Sequence, residues 1–369
     1  MKIAVMGDLH IGCNDYSEKR ASDFSHKFNE AIDLALKQKV QAILLLGDVF
    51  DSSAYRRSID SFALYLHEIA PGLVKAREMD VPILAIMGNH EFGRGREGGE
   101  LNILADLGFV HLLKDSMFEL EGNKFFGISW KNSTEEFLQV LQKFKPDNKS
   151  FLLMHQFVSG AAAIPKDLWE IDNVSLKSWS KVFVGHHHIH ESFGNICIPG
   201  SLEVHNVLEL TSKKPKGFII YDTDSGKEDF IEMTIGRPIK YLDFEVSSKT
   251  RILAEKEIND WILKNSEANA LLIIKLSGRL AYGRSSEINL RESRSIGIRN
   301  GCLAVSFINN INDPIRSAPQ IKASMNLDAF LKRWFKSDSS KAIEYFDELK
   351  EFGDDFAPRL RQKIIGALK

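Results

Sequence analysis

Three apolar runs near the N-terminus each stop at a glycine that is followed at once by residues able to hold a cation. Lys2–Met6 runs into Gly7-Asp8-Leu9-His10, residues 40–46 into Gly47-Asp48, and residues 81–87 into Gly88-Asn89-His90-Glu91. Short apolar runs bounded by glycine read as strands buried on both faces. The segments between them, residues 22–37 and 58–78, carry apolar side chains at helical spacing: Phe24, Phe28, Ile32 and Leu36, then Ile59, Phe62, Leu66, Ile69 and Leu73. Strand, helix and strand in alternation predict βαβ units on a parallel sheet, hence an α/β fold. Ligands of such sheets gather outside the carboxyl ends of the strands, which is where these polar residues stand.

Two later runs repeat the pattern. Residues 150–154 end at His155-Gln156, and Val182-Phe183-Val184 ends at Gly185, followed by His186, His187, His188 and His190. Neutral imidazoles clustered on a loop suit transition metals. In extended backbone His186 and His188 point one way and His187 the other. Residues 110–113, 117–120, 124–128, 196–198, 217–222 and 228–233 read as further strands, and 101–107 and 134–144 as helices.

The donors at strand ends are Asp8, His10, Asp48, Asn89, His155, His186 and His188: three oxygen ligands and four imidazoles. One ion takes about four to six donors. Seven therefore predict two ions that share a carboxylate. Mixed carboxylate, amide and imidazole ligation suits Mn²⁺, Fe²⁺ or Zn²⁺ better than Ca²⁺ or Mg²⁺. An ion pair is a standard device for hydrolysing phosphate esters. His90, left over beside Asn89, is the candidate for stabilising the transition state or protonating the leaving oxygen.

The chain has 369 residues and a formal charge of −2. That excludes a surface coated in positive charge but not a local basic groove. Its three cysteines, Cys13, Cys197 and Cys302, are odd in number and far apart, which excludes a disulfide framework and a CxxC zinc site. They predict a reducing, cytoplasmic setting, and no apolar run is long enough for a membrane span. Composition shifts at Gly236-Arg237-Pro238 and again near residue 311. The predicted organisation is a domain over 1–236, a small α/β domain over 237–310, a linker over 311–325 and helices over 326–369. Leu327, Phe330, Leu331, Trp334 and Phe335 make one apolar stripe in that last segment, and Ile343, Phe346 and Leu349 belong to a second. Tethered amphipathic helices favour a protein partner.

Taken together, Asp8-x-His10, Gly47-Asp48, Gly88-Asn89-His90-Glu91, the lone His155 and Gly185-His186-x-His188 resemble the five signature blocks of calcineurin-like metallophosphoesterases, over residues 1–205. The resemblance implies a two-sheet β-sandwich core flanked by helices. It also implies that Asp8, His10, Asp48 and His188 hold one ion, while Asp48, Asn89, His155 and His186 hold the other. His187 and His190 fall outside the motif. Gly47-Asp48-Val49-Phe50-Asp51, Met154-His155-Gln156, Asn102-Ile103-Leu104 with Leu107-Gly108, and Pro199-Gly200-Ser201-Leu202-Glu203 are similar to the SbcD-type double-strand-break repair nucleases.

That closer resemblance implies a Mn²⁺-dependent exonuclease and endonuclease acting on DNA double-strand-break ends with an SMC-like coiled-coil ABC ATPase. It implies that the 237–310 domain caps the DNA, that the 326–369 helices dock on the ATPase, and that the chain forms a homodimer, with 58–78 and 92–110 as places for the interface. The setting it implies is the nucleoid of a prokaryotic cell. Two positions depart from the common pattern. Asp51 stands where some members carry a histidine used in exonuclease chemistry and others an Asp, which makes it a second catalytic candidate. Glu91 replaces the commoner Asp. Arg94 and Arg96, in a glycine-rich loop, are the candidate contacts to DNA phosphates. Residues 1–235 fit equally a stand-alone metallophosphoesterase acting on nucleotides or other small phosphodiesters, which leaves the C-terminal helices without a task.

Overall fold

The computed structural model describes residues 1–51, 59–92 and 99–312. Arg94 and Arg96, the linker from residue 313 onward and the 326–369 helices lie outside the described residues.

The elements in chain order are β1 (Lys2–Met6), α1 (Ala21–Lys37), β2 (Ala42–Leu46), α2 (Ile59–Glu78), β3 (Ile83–Ile86), α3 (Gly99–Asp106) and β4 (His111–Leu112). Then come β5 (Ser116–Leu120), β6 (Asn123–Ile128), α4 (Thr134–Leu141), β7 (Ser150–Met154), β8 (Lys181–Val184), β9 (Glu191–Phe193) and β10 (Ile196–Ile198). The chain continues with α5 (Val207–Ser212), β11 (Lys216–Asp222), β12 (Glu228–Met233), β13 (Ile239–Glu245), α6 (Arg251–Asn265), β14 (Leu271–Gly278), α7 (Leu290–Arg299) and β15 (Ala304–Ile311). One six-stranded sheet runs β12-β11-β1-β2-β3-β4 and a second runs β5-β6-β7-β8-β10-β9. In the first, β1 to β4 are parallel and β11 and β12 antiparallel. In the second, β6, β7, β8 and β10 are parallel between antiparallel edges. Two mixed sheets flanked by helices are thus the architecture.

Successive side chains of a strand face opposite sides of its sheet. Ile3, Val5, Leu44, Leu46, Leu84 and Ile86 pack against Phe125, Phe151, Leu153 and Phe183 between the two sheets. Their alternates Ala4, Met6, Ile43, Leu45 and Ile83 pack beneath Phe28, Ile32, Ile69 and Leu73 of α1 and α2. Leu152, Met154, Val182 and Val184 line the far side of the second sheet with Phe137 of α4 and Trp179. Both faces are covered, which is why these strands read as unbroken apolar runs. Phe183 is fully buried, with Phe151 stacked at 6.4 Å and Tyr221 edge-on at 5.3 Å. Phe183→Ala is expected to cost about 3–5 kcal/mol, read as a lower denaturant midpoint at unchanged slope.

A third, parallel sheet, β13-β14-β15, packs on α6 and α7, and residues 1–312 form one compact unit. Three features here differ from the sequence expectation. β13 is a strand that buries only Phe244 of its seven residues, with Leu242 partly buried against the same core. The stretch between β14 and β15 that holds Arg279, Arg284, Arg291, Arg294 and Arg299 contains α7, whose buried residues are Ser293 and Gly297. A Cβ on Gly297 would collide with Val305 of β15, so the helix lies close at that point, with Leu290 and Ile296 partly buried beside it. β15 runs on to Ile311, into what the composition marks as linker. Among the described residues no helix is long and apolar enough to cross a membrane.

Candidate metal centre

The carboxyl ends of β1, β2, β3, β7 and β8 converge, and the loops leaving them carry the nine metal and catalytic candidates outside the arginine loop. Four of those residues are left-handed without being glycine: Asp8 (φ 49°), His10 (φ 45°), Asp48 (φ 47°) and His186 (φ 73°). Each such residue costs on the order of 1–3 kcal/mol and persists only where its surroundings impose it. Close packing of the loops imposes it here. A Cβ on Gly88 would overlap the Asp48 carboxylate, and one on Gly185 would enter the Leu46 carbonyl and the His155 ring.

On one side of the centre stand Asp8, His10 and His188, with ligand atoms all within 4.8 Å of one another. His10 Nδ1 faces Asp51 Oδ2 at 3.2 Å, and His188 Nδ1 faces Glu209 Oε1 at 2.7 Å. With each Nδ1–H donated to a carboxylate, both Nε2 atoms carry lone pairs, and they face each other at 3.0 Å. Burial pushes His10 down to about 3, which keeps it neutral. Asp8 Oδ1 accepts from the His186 backbone N–H at 2.8 Å, while its buried Oδ2 has no hydrogen-bond partner. Facing lone pairs beside an orphaned carboxylate oxygen fit a cation and are costly without one.

On the other side stand Asp48, His155 and His186, again within 4.8 Å. His155 Nδ1 donates to the Leu46 carbonyl at 2.6 Å, which aims Nε2 at Asn89 Oδ1 (3.1 Å) and Asp48 Oδ2 (3.3 Å). Burial disfavours a charged His155, but the Asp48 carboxylate outweighs it and raises the imidazole to about 9. Burial lowers His186 to about 3. Asp48 Oδ2 also lies 3.8 Å from His10 Nε2, so one carboxylate oxygen faces both groups. The donor set of two carboxylates, an amide oxygen and four imidazoles fits two borderline divalent ions.

His90 and Asp51 border the centre. The His90 backbone N–H donates to Asp48 Oδ1 at 2.8 Å, and its Nδ1 lies 3.3 Å from Asp51 Oδ2. Burial works against charge on His90, but the hydrogen bond to Asp51 and the Asp48 charge raise it above the usual range. Burial likewise opposes ionisation of Asp51, and hydrogen bonds from His10, His205 and His90 hold it well below the usual carboxylate range. Glu91 accepts three backbone N–H groups, from Gly88 (2.7 Å), Asp48 (3.0 Å) and Phe50 (3.1 Å), and so ties the β2 loop to the β3 loop.

The histidine cluster divides. His186 leans on His155, with ring centroids 4.9 Å apart, and His188 on His10, at 4.8 Å. The left-handed turn at His186, rather than extended alternation, sends the two apart. His190 donates to the Ile198 carbonyl at 2.8 Å and stacks on Phe230.

Sequence reasoning missed two residues. Glu209 orients His188 and is itself held by Ser201 at 3.1 Å and by Lys216. His205 lies 3.5 Å from Asp51 and 4.5 Å, centroid to centroid, from His10. An isolated histidine after Pro199-Gly200-Ser201-Leu202-Glu203 was the one available sign; Glu209 had none. Glu209→Ala is expected to weaken divalent-ion binding about 10–100-fold, measured by competition with a chelating dye.

The fold and this centre define a metal-dependent phosphoesterase. The profile of the calcineurin-like phosphoesterase family matches residues 1–208, and the chain belongs to that family, whose members use divalent metals. Its relatives narrow the comparison. The DNA double-strand break repair protein Mre11 of Archaeoglobus fulgidus is 25% identical over 325 residues, 81% of this chain and 70% of that protein. The protein of the same name from Methanococcus maripaludis is 22% identical over 390 aligned positions, 99% of this chain and 95% of its own. That from Sulfolobus acidocaldarius is 29% identical over 199 residues, 51% of this chain, and the match spans only 50% of that relative's length.

Proposed function

We propose that the chain is a two-metal DNA nuclease that processes double-strand-break ends, exo- and endonucleolytically, together with an SMC-like ABC ATPase. The observation that supports it best is the position of Asp48 Oδ2, 3.8 Å from His10 and 3.3 Å from His155, in a chain whose relatives carry the name of a break-repair protein. Asp8, His10, Asp48 and His188 would hold one ion, and Asp48, Asn89, His155 and His186 the other, with Mn²⁺ as the ion assigned to both. The chemistry such a pair supplies is Lewis acidity toward a phosphoryl oxygen and activation of water at neutral pH. The chain's own residues do the rest. His90, beside Asp51, faces the negative charge that develops on the phosphoryl oxygens or gives its proton to the leaving oxygen. Asp51 orients His90 and His10 from one oxygen. Arg94 and Arg96 contact the DNA backbone, the 326–369 helices bind the ATPase, and the chain works as a homodimer.

The test is hydrolysis of linear and hairpin duplexes with Mn²⁺, with and without the ATPase, beside a chromogenic small phosphodiester. Mn²⁺-dependent cleavage of DNA supports the reading. Turnover of the small diester with DNA untouched under both conditions supports the stand-alone phosphodiesterase instead. Truncation after Ile311 is expected to leave small-diester hydrolysis unchanged and to abolish ATPase capture in a pull-down; retained capture contradicts the assignment of those helices.

A further inference from the structure

The geometry points to a third cation position, beside the dinuclear pair, formed by Cys13, Asp15 and His205. The ligand atoms of these three residues all lie within 4.8 Å of one another. His205 Nε2 is 3.7 Å from Asp15 Oδ2. Donors around a tetrahedral Zn²⁺ stand roughly 3.3–3.6 Å apart, given bonds of about 2.0 Å to nitrogen or oxygen and 2.3 Å to sulfur. Small side-chain movements therefore close the set on an ion.

Both supporting loops are held in place. The Cys13 backbone N–H donates to the His10 carbonyl at 2.9 Å, which makes its loop continuous with a ligand of the main centre. Tyr16 Oη accepts from the Val207 N–H at 3.2 Å, and the His205 N–H donates to Glu209 Oε2 at 3.1 Å. The Tyr16–Val207 bond ties the loop before α1 to the first residue of α5. Within them, polar capacity is left over. The Cys13 thiol is fully buried, makes no disulfide and has His205 as its hydrogen-bond neighbour, and with His205 Nε2 also 3.5 Å from Asp51 Oδ2 the buried Nδ1 is the ring nitrogen left without a partner. Asp15 is half exposed and opens the position to solvent, leaving the fourth place for water.

The ligand chemistry separates this position from its neighbour. The dinuclear centre offers oxygen and imidazole nitrogen, which suit Mn²⁺. A thiolate with one imidazole and one carboxylate prefers Zn²⁺ or Co²⁺. The third position would fill with a softer ion than the pair and would fix His205 beside His10 and Asp51.

The test is titration of the full chain with Co²⁺. Binding is expected to give a thiolate-to-metal charge-transfer band in the near ultraviolet and about one equivalent of metal beyond the dinuclear pair. Cys13→Ser is expected to abolish the band and lose that equivalent while keeping the visible d–d absorption of the pair. His205→Ala is expected to do the same and shows the position independently if the serine variant fails to fold. No near-ultraviolet band in the wild type at saturating Co²⁺ overturns the proposal, whatever the pair holds, since the pair's loading is read separately in the visible. A band that survives Cys13→Ser overturns it too, because the thiolate would then be Cys197 or Cys302.

Discussion

Asp48→Ala is expected to bind at most one divalent ion and to lose phosphodiester hydrolysis by about 10³-fold or more, the several kcal/mol that an ion contributes to the transition state. The reason is positional. Asp48 Oδ2 is the oxygen that faces both His10 and His155, and its Oδ1 holds the His90 N–H. No other carboxylate is in this position among the described residues: Asp8 sits with His10 and His188, and Glu91 is spent on three backbone N–H groups. The metal-free fold feels the loss as well. Burial opposes ionisation of Asp48, but His155, His10 and His90 around it hold its carboxyl well below the usual range, so its charge stabilises the metal-free protein. The thermal midpoint without metal should fall, and the further gain on adding Mn²⁺, about 2.7 kcal/mol at a hundredfold excess over Kd, should shrink or vanish. Because residue 48 is left-handed (φ 47°), Asp48→Asn is the better-tolerated companion. Isothermal titration and calorimetry on both variants read the effect; two ions bound to either would contradict the bridging role.

His90→Ala is expected to behave in the opposite way, keeping both ions and losing about 10²–10⁴-fold in kcat, the usual worth of a positioned acid or electrostatic group. His90 is attached to the centre through its backbone N–H on Asp48, which alanine retains. Its ring stands between Asp51, 3.3 Å away, and His10, at 4.7 Å between centroids, and is a quarter exposed, at 24%, so it can meet a substrate. KM should change little. Metal content by mass spectrometry and steady-state kinetics separate the cases: loss of both ions in this variant would make His90 structural.

Much of this centre can be read from the chain because each of its loops follows a short buried strand. Continuous apolar runs mark β1, β2, β3, β7 and β8, and the spacing alone places a ligand that follows each run at a carboxyl end of the sheet. What lies around these donors is harder to see. His205 and Glu209 come from a loop and a six-residue helix with no apolar run before them, and only the closing of the sandwich brings them to His10 and His188. The sorting of His186 from His188 depends on a left-handed residue that spacing does not reveal. α7 is hidden for a different reason: its fully buried residues are Ser293 and Gly297, and the apolar Leu290 and Ile296 that pack beside them stand among four charged residues.

The most direct test of the two-ion centre is anomalous diffraction at the manganese edge from crystals soaked in Mn²⁺. Two peaks about 3.5–4 Å apart, both against the Asp48 carboxylate, one beside His10 and His188 and the other beside His155 and His186, are the expected result. A single peak, or two peaks that do not share Asp48, would contradict the account.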